Sequence, residues 1–103
     1  MATGILGQSS PAATTNTTVY TVPASKTATF SISVCNRDTA ACTVRLAIAA
    51  AATPGDSEWI EYEASILGNG VLERTGLVAG AGKLVVAYSS SATTSISVYG
   101  FEA

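Results

Sequence analysis

The chain has 103 residues, of which 12% are charged and 48% are hydrophobic, and its formal net charge is −2. A chain of this length can bury one core without help from metal ions or disulfides. Its five lysines and arginines are scattered singly, so we expect no basic surface for nucleic acid. No apolar run approaches the ~20 residues that cross a bilayer, and we expect no membrane partner.

The first residues carry neither the basic region nor the apolar region of a signal peptide, so we expect synthesis in a cytoplasm. The mean hydropathy is nevertheless positive. Apolar surface that does not enter a membrane favours contact with other protein. We therefore expect a homo-oligomer or a subunit of a larger assembly.

Residues 1–17 lack periodicity and are rich in Thr, Ser, Ala and Gly, as is typical of an extended segment. Ile5 and Leu6 form a small apolar pair within it. We predict an extended N-terminal arm over residues 1–17, followed by a folded domain over residues 18–103. Ile5 and Leu6 are predicted to anchor this arm, either on a neighbouring subunit or on the flank of the domain itself.

Residues 19–50 show the period-2 alternation of half-buried strands. They predict a short lead-in strand over residues 19–22 and a hairpin whose strands cover about residues 27–36 and 42–50. On both long strands one face should be core and the other polar. The predicted core positions are Phe30, Ile32, Val34, Val44, Leu46 and Ile48, and the predicted outward positions are Thr29, Ser31, Ser33, Thr43, Arg45 and Ala47.

The two cysteines, Cys35 and Cys42, flank the loop of this predicted hairpin. Residues directly opposite in an antiparallel pair share a face, but alternation places Cys35 with the polar set and Cys42 with the core set. A disulfide is therefore not expected. The chain has no histidine, so the two cysteines also fall short of a zinc site.

Three further strands are predicted between residues 58 and 89, before the last strand of the chain. Residues 58–67 alternate, and residues 71–78 are less regular. Residues 83–89 are nearly continuously apolar, as expected of a strand that is covered on both faces. On the first of these strands the predicted inward positions are Ile60, Tyr62, Ala64 and Ile66, and the outward positions are Trp59, Glu61, Glu63 and Ser65.

The last strand, over residues 94–101, places Tyr99 and Phe101 on the face opposite Ile96 and Val98. The total is about seven strands without any helical period. The sequence therefore predicts an all-β fold, a single antiparallel β-sandwich of immunoglobulin-like or jelly-roll-like type with an extended N-terminal arm.

Few residues are suited to catalysis. Without histidine the usual nucleophilic triads are excluded, and we expect no enzyme, no cofactor and no metal ion. An acidic group could be read as a calcium site or as the paired carboxylates of a glycosidase. We interpret it instead as solvated charge on a sheet face. The group consists of Asp56, Glu58, Glu61 and Glu63.

Three aromatic side chains are predicted to point away from the core. Trp59 could anchor a protein interface or stack on a sugar, and we favour the interface because few other polar side chains accompany it. Tyr99 and Phe101 form a second aromatic pair, which could contact a partner or pack under the N-terminal arm. The candidate interface residues are thus Ile5, Leu6, Trp59, Tyr99 and Phe101.

Several segments after residue 14 resemble small β-sandwich virion proteins of tailed bacteriophages, of the type found in cyanophages. The segments are TNTTVYTVPA (15–24), SVCNR (33–37), TVRLAIA (43–49), WIEYE (59–63), NGVLERTG (69–76), AGK (81–83) and YSS (88–90). Related sequences often have Gly after the Pro-Ala pair, where this chain has Ser25.

The resemblance implies a virion structural protein whose partners are major capsid or tail proteins. A capsid decoration or cement protein is the first expectation, and a tail, baseplate or fibre component is the alternative. It brings no catalytic or ligand-binding residues. A carbohydrate-binding module that uses Trp59 remains a further alternative from the residues themselves.

Overall fold

A computed structural model describes residues 2–103, which form eight β-strands and one short 3₁₀-helix. In chain order the elements are β1 (Thr3–Ser9), β2 (Thr17–Thr21), β3 (Ala28–Asn36), β4 (Cys42–Ala49), the 3₁₀-helix (Asp56–Glu58), β5 (Trp59–Ile66), β6 (Val71–Ala79), β7 (Leu84–Ser89) and β8 (Thr94–Glu102).

The strands form two four-stranded sheets. The front sheet has the order β1-β8-β3-β6, and the back sheet has the order β2-β7-β4-β5. All neighbouring pairs are antiparallel, and strands of the first half of the chain pair with strands of the second half: β1 with β8, β2 with β7, β3 with β6 and β4 with β5. The predicted all-β fold in two antiparallel sheets is confirmed.

The predicted hairpin is wrong. β3 pairs with β6 and β8 in the front sheet, whereas β4 pairs with β5 and β7 in the back sheet. The loop between β3 and β4 therefore crosses from one sheet to the other. Alternation identifies which face of a strand is apolar, but it does not specify which neighbour the strand bonds to, because both arrangements bury the same side chains.

The faces of β3 and β4 follow the predicted alternation along most of their length. Phe30, Ile32, Val34, Val44 and Leu46 are all at most 2% exposed and belong to one apolar cluster between the sheets. β7 is also buried on both faces, as predicted, because it lies between β2 and β4 in the back sheet.

The eighth strand, β1, was not predicted. Thr3–Ser9 lie within the segment expected to be an extended arm, and they pair with β8 at the edge of the front sheet. Ile5 faces outward and is 56% exposed, while Leu6 packs against the core. An edge strand that places so few side chains in the core shows little alternation of apolar and polar residues in its sequence. The bulge at Leu6 interrupts that alternation further.

Gly7 allows β1 to approach β2, the edge strand of the other sheet. A Cβ atom at Gly7 would lie 2.3 Å from the backbone oxygen of Val19. Any side chain there would have to displace backbone, so the sequence can close this edge of the sandwich only with glycine.

Each of the four edge strands contains a register shift. The extra residues lie in β1 near Leu6, in β2 at Val19, in β5 at residues 60 and 62–63, and in β6 at residues 75–76. The central pairs β3·β8 and β4·β7 run without a shift. Irregular pairing is thus confined to the periphery of both sheets.

Both cysteines are free, in agreement with the prediction. Cys35 is half-buried and pairs with outward positions of its neighbours, while Cys42 is buried in the core. Burial raises the pKa of the Cys42 thiol.

A buried hydrogen bond joins the two sheets beside the β1 edge. The Tyr20 hydroxyl on β2 donates to the Glu102 carboxylate on β8, and both residues are 8% exposed. Burial, together with the hydrogen bond to the negatively charged Glu102, raises the pKa of Tyr20 well above its ordinary value of 10.0.

We expect Ile32→Ala and Leu46→Ala each to lower the free energy of unfolding by about 2–5 kcal/mol, through lost burial and the cavity left behind. Ser31→Ala, on the outer face of β3, is the control and should cost less than about 1 kcal/mol. Urea denaturation measures all three. Equal losses at Ser31 and Ile32 would contradict the assigned faces.

The turn after β2 gives a second prediction. Ser25 has φ of +64°, in the left-handed region that favours glycine. Ser25→Gly should therefore raise the free energy of unfolding by roughly 1 kcal/mol. Ser25→Ala keeps the Cβ atom and should bring no gain. A lower melting temperature for Ser25→Gly than for the parent chain would contradict this account.

Alkaline pH should destabilise the fold through Tyr20. The unfolded chain releases the phenolic proton near pH 10, while the folded chain retains it to higher pH. The contribution of protonated Tyr20 to the free energy of unfolding is therefore fully present below about pH 10 and is lost as the pH rises above it. Tyr20→Phe should flatten the fall of melting temperature above about pH 10. Tyr62→Phe, at an exposed ring, is the control, and an equal flattening there would contradict the assignment.

Candidate functional site

The five predicted interface residues do not form one surface. Ile5, Tyr99 and Phe101 lie together on the outer face of the front sheet, and Trp59 lies on the outer face of the back sheet. Leu6 points the other way from Ile5 and packs against the core. Two separate surfaces are therefore candidates for contact with a partner.

The first surface is the front patch, formed by Ile5, Val78, Tyr99 and Phe101. Cross-strand pairing places Ile5 opposite Tyr99, and it places Thr29 between Phe101 and Val78. Ile5, Val78 and Phe101 are 56%, 60% and 43% exposed. Val78 was missed by sequence reasoning because its strand, β6, is irregular and its register depends on the bulge at residues 75–76.

A hydrogen bond orients the tyrosine of the front patch. The Tyr99 hydroxyl donates to the Glu73 carboxylate at 3.2 Å. Partial burial, followed by this bond to a negative group, raises the pKa of Tyr99. This bond fixes the position of the Tyr99 ring, and Tyr99 is the residue opposite Ile5.

On the back sheet, Trp59 packs against a small second cluster formed by Ala47, Ala49 and Val86. Ala47 was predicted to point outward, and it is 0% exposed because the indole covers it. Alanines have little volume, so a large ring can lie close to the sheet there. The Ala-rich end of β4 thus provides the surface on which Trp59 packs.

The orientation predicted for Tyr62 is wrong. Val44 pairs with Ala64, but Leu46 pairs with Glu61, so Tyr62 and Glu63 together lie opposite the single residue between Val44 and Leu46. This bulge reverses the alternation, and Glu63 has φ of +54°. Tyr62 consequently faces outward, with 59% of the residue exposed. The outward orientation predicted for Glu61 is also wrong, because Glu61 lies opposite the core residue Leu46 and bonds Arg74 of the facing sheet.

Arg45 occupies the space between two tyrosine rings on this face. Its guanidinium carbon lies 4.5 Å from the centroid of Tyr62 and 4.2 Å from that of Tyr88. The guanidinium donates to the Glu63 carboxylate at 2.6 Å. This hydrogen bond raises the pKa of Arg45 and lowers the pKa of Glu63.

Beside this arrangement lies the second surface, the back corner, formed by Asp56, Trp59 and Tyr62. They line a cleft of about 370 Å³. The Trp59 and Tyr62 rings meet edge to face, with centroids 5.6 Å apart and planes at 71°. Two aromatic walls and one carboxylate therefore surround the same space.

The 3₁₀-helix positions Asp56. Glu58, at its end, accepts hydrogen bonds from the backbone N–H groups of Gly55 at 2.8 Å and Ala50 at 2.9 Å. These bonds lower the pKa of Glu58 and hold the loop before β5 against the end of β4. Asp56, which is exposed, thereby lines the same cleft as Trp59 and Tyr62.

The acidic residues do not converge on a common point. Glu58 is used by the loop, Glu61 by Arg74 of the front sheet, and Glu63 by Arg45. Within residues 2–103 no group of three or more potential ligands is arranged to hold a metal ion. The same residues contain no helix long and apolar enough to cross a membrane.

Comparisons of the chain with protein-family models, with curated proteins and with solved structures find no match.

Proposed function

We propose that the protein is a structural component of a bacteriophage virion, and that it decorates the capsid and stabilises the shell through contacts between subunits. The front patch is the observation that carries this proposal. Single exposed apolar side chains are common, but several on one sheet face are typical of surfaces that contact other proteins. The sequence resemblance to phage β-sandwich proteins points to the same setting.

The architecture supports the proposal by analogy. We take the pairing of β1 with β8, β2 with β7, β3 with β6 and β4 with β5 as that of an eight-stranded jelly roll. Viral capsid domains are among the proteins built in this way, and so are lectins. A fold of this kind is compatible with several functions, and the exposed surfaces of the sheets distinguish between them.

The size of the molecule is adequate for such contacts. A stable interface buries about 800 Å² on each partner, which is roughly one sixth of the 4938 Å² surface of this chain. The front sheet offers one broad face for this purpose. Ile5 and Phe101 are about half exposed, so each would contribute about 0.7–1.7 kcal/mol if a neighbour covered the remaining surface.

A tail, baseplate or fibre component would use the same kind of contact, and the number of copies separates these possibilities. A decoration protein should be present in a fixed ratio to the many capsid subunits, whereas a tail component should be present in few copies. Quantitative mass spectrometry of purified particles measures this ratio. Absence of the protein from the particles would overturn the proposal.

The double variant Ile5→Asp with Phe101→Asp should bind particles lacking the protein at least about tenfold more weakly than the parent, because charge on the front patch must be desolvated. Leu67→Asp is the matched control, since Leu67 is 76% exposed in a loop away from this patch. Both variants should melt close to the parent. Full occupancy of particles by the double variant would contradict the assigned surface.

A further inference from the structure

We propose that the back corner binds an arginine side chain presented by a neighbouring protein. The site is formed by the Trp59 and Tyr62 rings and the Asp56 carboxylate. The partner presenting this arginine would be another virion protein, and in that respect the inference rests on the proposed function. The contact on the back sheet would thus be that of a guanidinium with two aromatic rings and a carboxylate.

The shape of the corner favours a flat cation. Two rings at 71° form adjoining walls, and guanidinium groups stack on aromatic faces while their N–H groups donate to carboxylates. The cleft of about 370 Å³ has room for such a head group and part of its aliphatic stem. Tyr62 is 59% exposed, so much of its ring surface remains open beside Arg45.

The same face already holds one guanidinium by the same chemistry. Arg45 lies between the Tyr62 and Tyr88 rings and donates to Glu63. The back corner repeats the components of that arrangement, two aromatic rings and a carboxylate, without a cation of this chain among its lining residues. A guanidinium from outside the chain would complete it.

The charges around the corner leave a negative balance. Arg45 and Glu63 neutralise each other, and the Glu58 carboxylate is held by two backbone N–H groups. Within residues 2–103, Asp56 forms no salt bridge and no side-chain hydrogen bond. Its carboxylate is therefore the uncompensated charge that a cationic group would meet.

A sugar fits the corner less well. Sugar sites add several hydrogen-bonding side chains around the stacking ring. Here the lining adds one such side chain, Asp56, to the two aromatic residues Trp59 and Tyr62. The walls also meet at a large angle, whereas a sugar stacks on one broad flat surface. The sugar is therefore the competing outcome of the test.

Trp59 is the only tryptophan of the chain, so its fluorescence reports directly on the corner. We expect saturable quenching by a short arginine-containing peptide at constant ionic strength, with half-saturation on the order of 10 mM. The same peptide with neutral citrulline in place of arginine is the control ligand. It should give no saturable change, and a lysine peptide should bind more weakly than the arginine peptide.

Asp56→Asn should weaken binding of the arginine peptide by about threefold to fivefold, the size of an exposed ion pair. Glu73→Gln, which removes a carboxylate from the front sheet, is the matched control and should leave binding unchanged. Equal binding of citrulline, unchanged binding in Asp56→Asn, or saturable binding of a disaccharide in place of arginine would overturn the inference.

These results are independent of the particle experiment. If the peptide fails to bind but front-patch variants still lose incorporation, only the role of the back corner is overturned. If the peptide binds but the protein is absent from particles, the proposed function is overturned and the arginine site remains.

Discussion

Apolar packing between the regular centres of the two sheets is the interaction on which the rest of the structure depends. Ile32 of the front sheet and Leu46 of the back sheet belong to one cluster, and the central pairs β3·β8 and β4·β7 in which they lie have no register shift. Interiors of this kind are close-packed, so the two centres fix the distance and orientation of the sheets. Bulges and loops at the edges can then vary without disturbing the core.

The sequence predicts this centre well because the alternation of apolar residues directly reflects which face of a strand is buried. The side chains of β3 alternate between core and outer face, and alternation is what the pattern measures. The prediction of strands fails where a strand buries very few side chains, and the prediction of strand pairing fails where the partners are distant in the sequence. β1 places essentially one side chain, Leu6, against the core, and the partners of β3, which are β6 and β8, lie far along the chain.

The candidate surfaces were predicted in part for related reasons. Trp59 was expected on an outer face and lies there, but Tyr62 was assigned to the core because the pattern was counted through a bulge. The bulge at residue 60 reverses the alternation and the bulge at residues 62–63 restores it, so the assignments fail for Glu61 and Tyr62 between them, and no residue type in this stretch marks either position as glycine would. Recognition of the corner, and of Arg45 between its tyrosines, therefore required the register of β5 on β4.

The irregular edge strands affect whether copies of the protein aggregate when they are held close together. A straight edge strand offers a row of unpaired backbone groups to the next molecule, and growth by strand addition leads to aggregates. Here β1, β2, β5 and β6 each contain an extra residue that breaks this row. Copies held side by side at high local concentration would thus meet through the side chains of their sheet faces, where contact can be specific and self-limiting, rather than merging their sheets.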